Sequence, residues 1–166
     1  MPPRTPAPKP GRPRDPNAPP KPKRPRDELG RPLAHEAENT LHLEDYDSLP
    51  LEENHRLGIG HFAARRFFPA HEAWETCWKQ AKGTGDAEFF KGLSQLGAGY
   101  VHLLRGNPHG AFTLLRRGAG RILGYASPHA GVDVAALGRE ALAHADAIED
   151  AERAHRPVPA NSFPEI

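Results

Sequence analysis

Cysteine is almost missing from this chain: Cys77 is the only one in 166 residues. An intrachain disulfide and any multi-cysteine zinc or iron–sulfur centre are therefore excluded. No apolar run approaches the ~20 residues that a bilayer span requires. The basic N-terminus leads into no hydrophobic segment, so a secretory signal is not expected and a cytoplasmic protein without membrane contact is. No stretch alternates apolar and polar residues in the manner of a half-buried strand. Ser94 lacks the Gly-x-Ser-x-Gly surroundings of a nucleophilic serine. Gly83-Thr84-Gly85 lacks the Gly-Lys-Ser/Thr of a phosphate-binding loop.

Proline and charge are plentiful. Nineteen prolines and a mean hydropathy of −0.67 are too polar for a uniformly packed chain. The net charge of +1 conceals an asymmetry. Residues 1–32 hold nine Lys or Arg against three acids, and the remaining 134 residues hold 13 against 18, balances of +6 and −5. Residues 1–26 are expected to be a disordered, basic, Pro-rich tail, since proline at this density removes backbone donors and favours extended chain. Such a tail can contact nucleic acid or an acidic protein surface, or serve only to solubilise; no aromatic residue interrupts it to stack on bases. Residues 27–50 read as an extended linker with a turn at Gly30, residues 51–154 as a helical domain, and residues 155–166 as a C-terminal tail in which Phe163 can dock.

The helical domain is expected to be an all-α, compact, mainly antiparallel bundle of about five helices. The first spans Glu52 to Phe67, with Leu57, Phe62, Ala63 and Phe67 inward, although Gly58 and Gly60 each weaken it by about 1 kcal/mol relative to Ala. Pro69 opens a second helix whose stripe is Ala70, Ala73, Trp74, Cys77, Trp78 and Ala81. Asp86 is placed to cap a third, from Ala87 to Arg105, burying Phe89, Phe90, Leu93, Leu96, Gly97, Tyr100, Val101 and Leu104. Gly106-Asn107-Pro108 ends that helix and caps a fourth, to Leu123, with Ala111, Leu114, Leu115, Ala119 and Ile122 inward. Asp133 caps the last, with Val134, Leu137, Ala141, Ala145 and Ile148 inward.

Chemistry concentrates on the second and third helices. His71 and Glu75 are four residues apart and can touch along one border of the apolar stripe. Lys91, Gln95 and His102 share a stripe on the third helix, with Gly92 and Gly99 beside it allowing close approach. His71, Glu72, Glu75, Gln95 and His102 are expected to converge there. His71-Glu72-x-x-Glu75 resembles a zincin motif with its second His replaced by Glu. One reading takes His71, Glu75 and His102 as ligands to a divalent metal, zinc or iron, and Glu72 as the base of a hydrolase. A second is a buried polar network that also includes Asn107. A third is a small-ligand pocket lined by Trp74, Trp78, Gln95, Tyr100 and Asn107. A fourth is a helical adaptor that binds peptides, its short hairpins resembling tetratricopeptide repeats without their 34-residue period.

Three motifs in order carry a family resemblance. Ala70-His71-Glu72-Ala73-Trp74-Glu75-Thr76-Cys77-Trp78, then Gly92-Leu93-Ser94-Gln95-Leu96, then His102-Leu103-Leu104-Arg105-Gly106-Asn107 with Gly110-Ala111, resemble the DUF309 family of small helical proteins of uncharacterised function. Gly131-Val132-Asp133 matches as well, and Pro25 to Leu33 resembles the N-terminal extension of actinobacterial members. The resemblance covers about residues 25–150 and implies a compact helical bundle without assigning an activity. Where members carry a Phe-Asn pair, this chain has Phe62-Ala63, with His61 adjacent.

Overall fold

The computed structural model describes residues 23–166. Their regular structure is helical: α1 (Leu51–Ala63), α2 (Phe67–Gln80), α3 (Ala87–Leu104), α4 (Pro108–Ile122) and α5 (Val134–Arg153), with a short 3-10 turn at Tyr46–Ser48. Two isolated bridges, Arg26 to Pro32 and His129 to Val132, are the only β-type pairings among the described residues. Each helix packs chiefly on the next, and the short connections at 64–66, 81–86 and 105–107 make neighbours antiparallel. None of the described helices is long and apolar enough to cross a membrane. Most of the expected Pro-rich tail, residues 1–22, lies outside the described residues.

The apolar periodicity becomes the core. On α2 and its C-cap, Ala70, Ala73, Trp74, Cys77 and Ala81 are buried, and on α5 Val134, Leu137, Ala141, Ala145 and Ile148 are fully so. Asn107 and Asp133 cap as expected: their side chains accept from Gly110 N and Ala136 N, each at 3.0 Å. Asp86 makes no cap bond, because its carboxylate turns instead to His129 Nε2 at 2.9 Å. Leu104, expected inside, is exposed.

The first helix differs most from its sequence reading. It ends at Ala63, Arg65 takes a left-handed φ of 61°, and Phe67 begins α2 instead of ending α1. Its buried face is Asn54, Gly58, His61 and Phe62, while Ala63 is exposed and Leu57 only half-buried. Two contacts set that phase. Asn54 Nδ2 donates to Tyr46 O at 2.8 Å, tying the 3-10 turn to α1. A Cβ at Gly58 would lie 2.5 Å from Trp74 Nε1, so the glycine that weakens α1 is what admits the indole.

That indole donates to His55 Nδ1 at 3.1 Å, and His55 Nε2 donates to Ala130 O at 2.8 Å. With Nδ1 used as an acceptor, the imidazole is neutral, and burial holds its pKa below the usual histidine value. A depressed folded-state pKa gives stability that is present above the unfolded value of about 6.5 and is lost as pH falls through the folded one. The urea midpoint should therefore drop between pH 7 and pH 5, with a shallower pH slope in His55→Gln. An equal slope in both proteins would contradict this.

The chain flanking the helices is built onto them. Phe163 packs its ring 5.0 Å from Phe67 and 5.4 Å from Tyr100, and Arg65 Nη1 donates to Pro164 O at 2.7 Å. At the other end, Arg105 donates from Nε to Leu29 O at 3.0 Å. Gly30, at φ 74°, lies so close to the Phe68 ring that no side chain fits there. Leu41 and Tyr46 are buried. The segment from residue 29 to 46 is thereby held against the helices.

Candidate functional site

The site grows from one close helix crossing. A Cβ built on Gly97 of α3 would come within 3.1 Å of both the N and Cα of His71, so the backbones of α2 and α3 touch at that residue. One turn earlier on α3 is Ser94, buried. His71 Nδ1 lies 3.0 Å from Ser94 O and 2.9 Å from Ser94 Oγ, and Oγ donates back to His71 O at 3.2 Å. The imidazole is held at its inner nitrogen and points its outer nitrogen away from α3.

That outer nitrogen, Nε2, faces two carboxylates of its own helix, Glu72 Oε1 at 3.6 Å and Glu75 Oε2 at 3.4 Å. The other oxygen of Glu75 pairs with Lys79 Nζ at 3.0 Å. His71, Glu72 and Glu75 each offer one ligand atom within 4.8 Å of the others, the only such group of three among the described residues. All three are partly exposed. Glu72 also borders a groove of about 920 Å³ between α2 and the segment containing residues 23–43.

His102 does not join them. The Oδ1 of Asn107 caps α4, so its Nδ2 is the donor in the 2.9 Å contact with His102 Nδ1. That lone pair is spent on the helix corner, and burial, Arg105 and His71 together lower the pKa of His102. A Cβ at Gly110 would lie 2.8 Å from the same Nδ1, so His102, Asn107 and Gly110 form one structural corner lock. The expected ligand set of His71, Glu75 and His102 is corrected accordingly, with Glu72 standing beside the other two where a base was expected.

The expected pocket between helices is corrected too. Trp74 and Tyr100 have 0% exposure and sit in the core, where no ligand from solvent reaches them. Asn107 is exposed and occupied as a cap. Trp78 is partly buried, with Lys91 Nζ 4.9 Å and Lys82 Nζ 5.6 Å from its ring centroid. Gln95 is half-buried and its Oε1 has no partner among the described residues. Gly92 and Gly99 admit α4, not α2: their Cβ positions meet Ile122 and Leu115. Burial pushes the Cys77 thiol up to about 12, which makes it an inert core residue.

Two groups escaped sequence reasoning. One is Ser94 with Gly97, whose signal was a pair of small residues one turn apart on α3. The other is Glu44, Tyr46 and His61: Tyr46 Oη donates to Glu44 Oε2 at 2.7 Å, and buried His61 brings Nε2 within 3.1 Å of that oxygen. Burial, then the bond to the Glu44 carboxylate, raise the pKa of the Tyr46 hydroxyl.

The family model described as a domain of unknown function, DUF309, matches residues 55–114. That span holds α2, α3 and every member of the His71 cluster, and is narrower than the resemblance read from the motifs. No curated protein and no solved structure matches the chain.

Proposed function

We propose that the DUF309 domain of this chain binds one divalent cation, zinc or iron(II), through His71, Glu72 and Glu75. The orientation of His71 carries the reading. A backbone carbonyl can only accept, so the bond to Ser94 O keeps a proton on Nδ1. Such an outer partner is what fixes the tautomer of metal-binding histidines. Nε2 then turns its lone pair toward two carboxylates, and three electron-rich atoms repel unless a positive charge lies among them.

Lys79 Nζ supplies one positive charge, at the far oxygen of Glu75; a metal ion at Nε2 would supply another between the two carboxylates, and the distances from Nε2 accommodate it. A charged N–H···O bond contracts to about 2.7–2.9 Å. Ligand atoms around a tetrahedral zinc with bonds of about 2.0–2.1 Å lie roughly 3.3–3.4 Å apart, near the 3.4 and 3.6 Å separations from Nε2. The imidazole suits zinc or iron, and zinc takes carboxylate oxygen alongside it. Three protein ligands leave a coordination position for water or substrate, as in catalytic rather than structural zinc sites. This supports metal-assisted chemistry on a groove-bound molecule, with hydrolysis as its simplest form.

Elemental analysis of full-length protein purified without a His tag tests the reading. One zinc or iron per chain is expected. Protein that carries neither, and takes up neither after dialysis against the metal, would overturn the reading and leave the cluster as a surface polar network oriented by Ser94 and Lys79.

A further inference from the structure

The groove that Glu72 borders has a charge pattern of its own. Its volume of about 920 Å³ is that of a small-molecule site. Among the described residues Glu72 is its only acidic lining residue, against Lys23, Arg24, Arg26 and His35. Arg26 is occupied structurally, donating to Gly30 O at 2.6 Å. Lys23 and Arg24 are exposed and have no carboxylate partner among the described residues. Phe68, Leu41 and Leu43 supply an apolar surface in the same groove. The segment bearing the basic residues is anchored further along by the Gly30–Phe68 contact and by the Arg105 bond to Leu29 O.

We propose that this groove binds an organic phosphate. Its phosphoryl group is held between the cation at Glu72 and the Lys23–Arg24 rim, and its apolar part lies along Phe68, Leu41 and Leu43. The proposal rests on the cation reading above and names the ligand class for that site. A cation at His71, Glu72 and Glu75 offsets the charge of Glu72 and leaves the described lining of the groove positive. A tetrahedral dianion has enough oxygens to meet a metal and a guanidinium at once, where a guanidinium fork binds phosphate oxygens in pairs. The apolar surface favours a phosphate with a carbon body over inorganic phosphate.

Isothermal titration of the zinc-loaded full chain with phenyl phosphate and with inorganic phosphate tests this. Phenyl phosphate should bind once per chain and at least tenfold more tightly than inorganic phosphate. The K23A/R24A variant should lose at least tenfold in phenyl phosphate affinity while its zinc content stays unchanged. A zinc-loaded protein that ignores phenyl phosphate, or a double variant that binds it equally well, would overturn the phosphate proposal and leave the cation reading standing. Equal affinity for the two phosphates would overturn the role of the apolar surface. A chain that holds no zinc yet binds phenyl phosphate through Lys23 and Arg24 would keep the anion groove and overturn the cation bridge.

Discussion

Trp74→Ala is expected to lower stability by about 3–5 kcal/mol, read as a drop in the urea midpoint at unchanged slope. The indole is fully buried, 5.7 Å from the Phe62 ring and seated over Gly58, which has no side chain to fill the space left behind. Truncation also strands His55 Nδ1, which accepts the indole N–H at 3.1 Å. A partly buried acceptor left without its donor contributes about 1 kcal/mol of that total. Trp74→Phe keeps much of the ring and loses only the bond, so its deficit should be clearly smaller. A midpoint that barely moves in Trp74→Ala would mean that the indole lines an open surface after all.

The second large effect concerns the metal. Zinc at about a hundred times its dissociation constant should raise folding stability by about 2.7 kcal/mol if it binds only the folded chain. His71→Ala should remove that increment, since it deletes the one nitrogen ligand and the group that Ser94 orients. The substitution also vacates the α2–α3 crossing beside Gly97, so the metal-free variant must serve as its own baseline. An increment of similar size in wild type and His71→Ala would place zinc somewhere other than this cluster.

Much of the architecture was legible because burial and periodicity agree in it. Val134, Leu137, Ala141, Ala145 and Ile148 recur at helical spacing and all face the core. Asn107 and Asp133 announce their helices by chemistry that acts within four residues. On α1 the same logic found only Phe62, because the rest of the buried face is Asn54, Gly58 and His61, chosen for hydrogen bonds and for clearance beneath Trp74. No hydrophobic pattern registers such choices.

At the site, contacts along one helix were readable and contacts between helices were not. The i, i+4 spacing of His71 and Glu75 predicts that they meet, and they do, at 3.4 Å. Which glycine of α3 would meet α2 depends on how the helices roll against each other. Gly97 took that place, while Gly92 and Gly99 went to α4. His102 looked available as a ligand until the cap on α4 fixed the donor sense of Asn107. The groove was hidden for a different reason: its basic wall is a segment that folds back over α2 and is held there by Gly30 against Phe68.

The most direct test is a calorimetric zinc titration of tag-free full-length protein beside His71→Ala, Glu75→Gln and His102→Ala. Wild type and His102→Ala should each bind one zinc with similar affinity, because His102 serves the α3–α4 corner and not the cation. His71→Ala should bind none at this site, and Glu75→Gln should bind at least tenfold more weakly. Zinc binding that survives His71→Ala but disappears in His102→Ala would contradict the account at its centre, and so would a wild-type chain that binds no zinc or iron(II) at all.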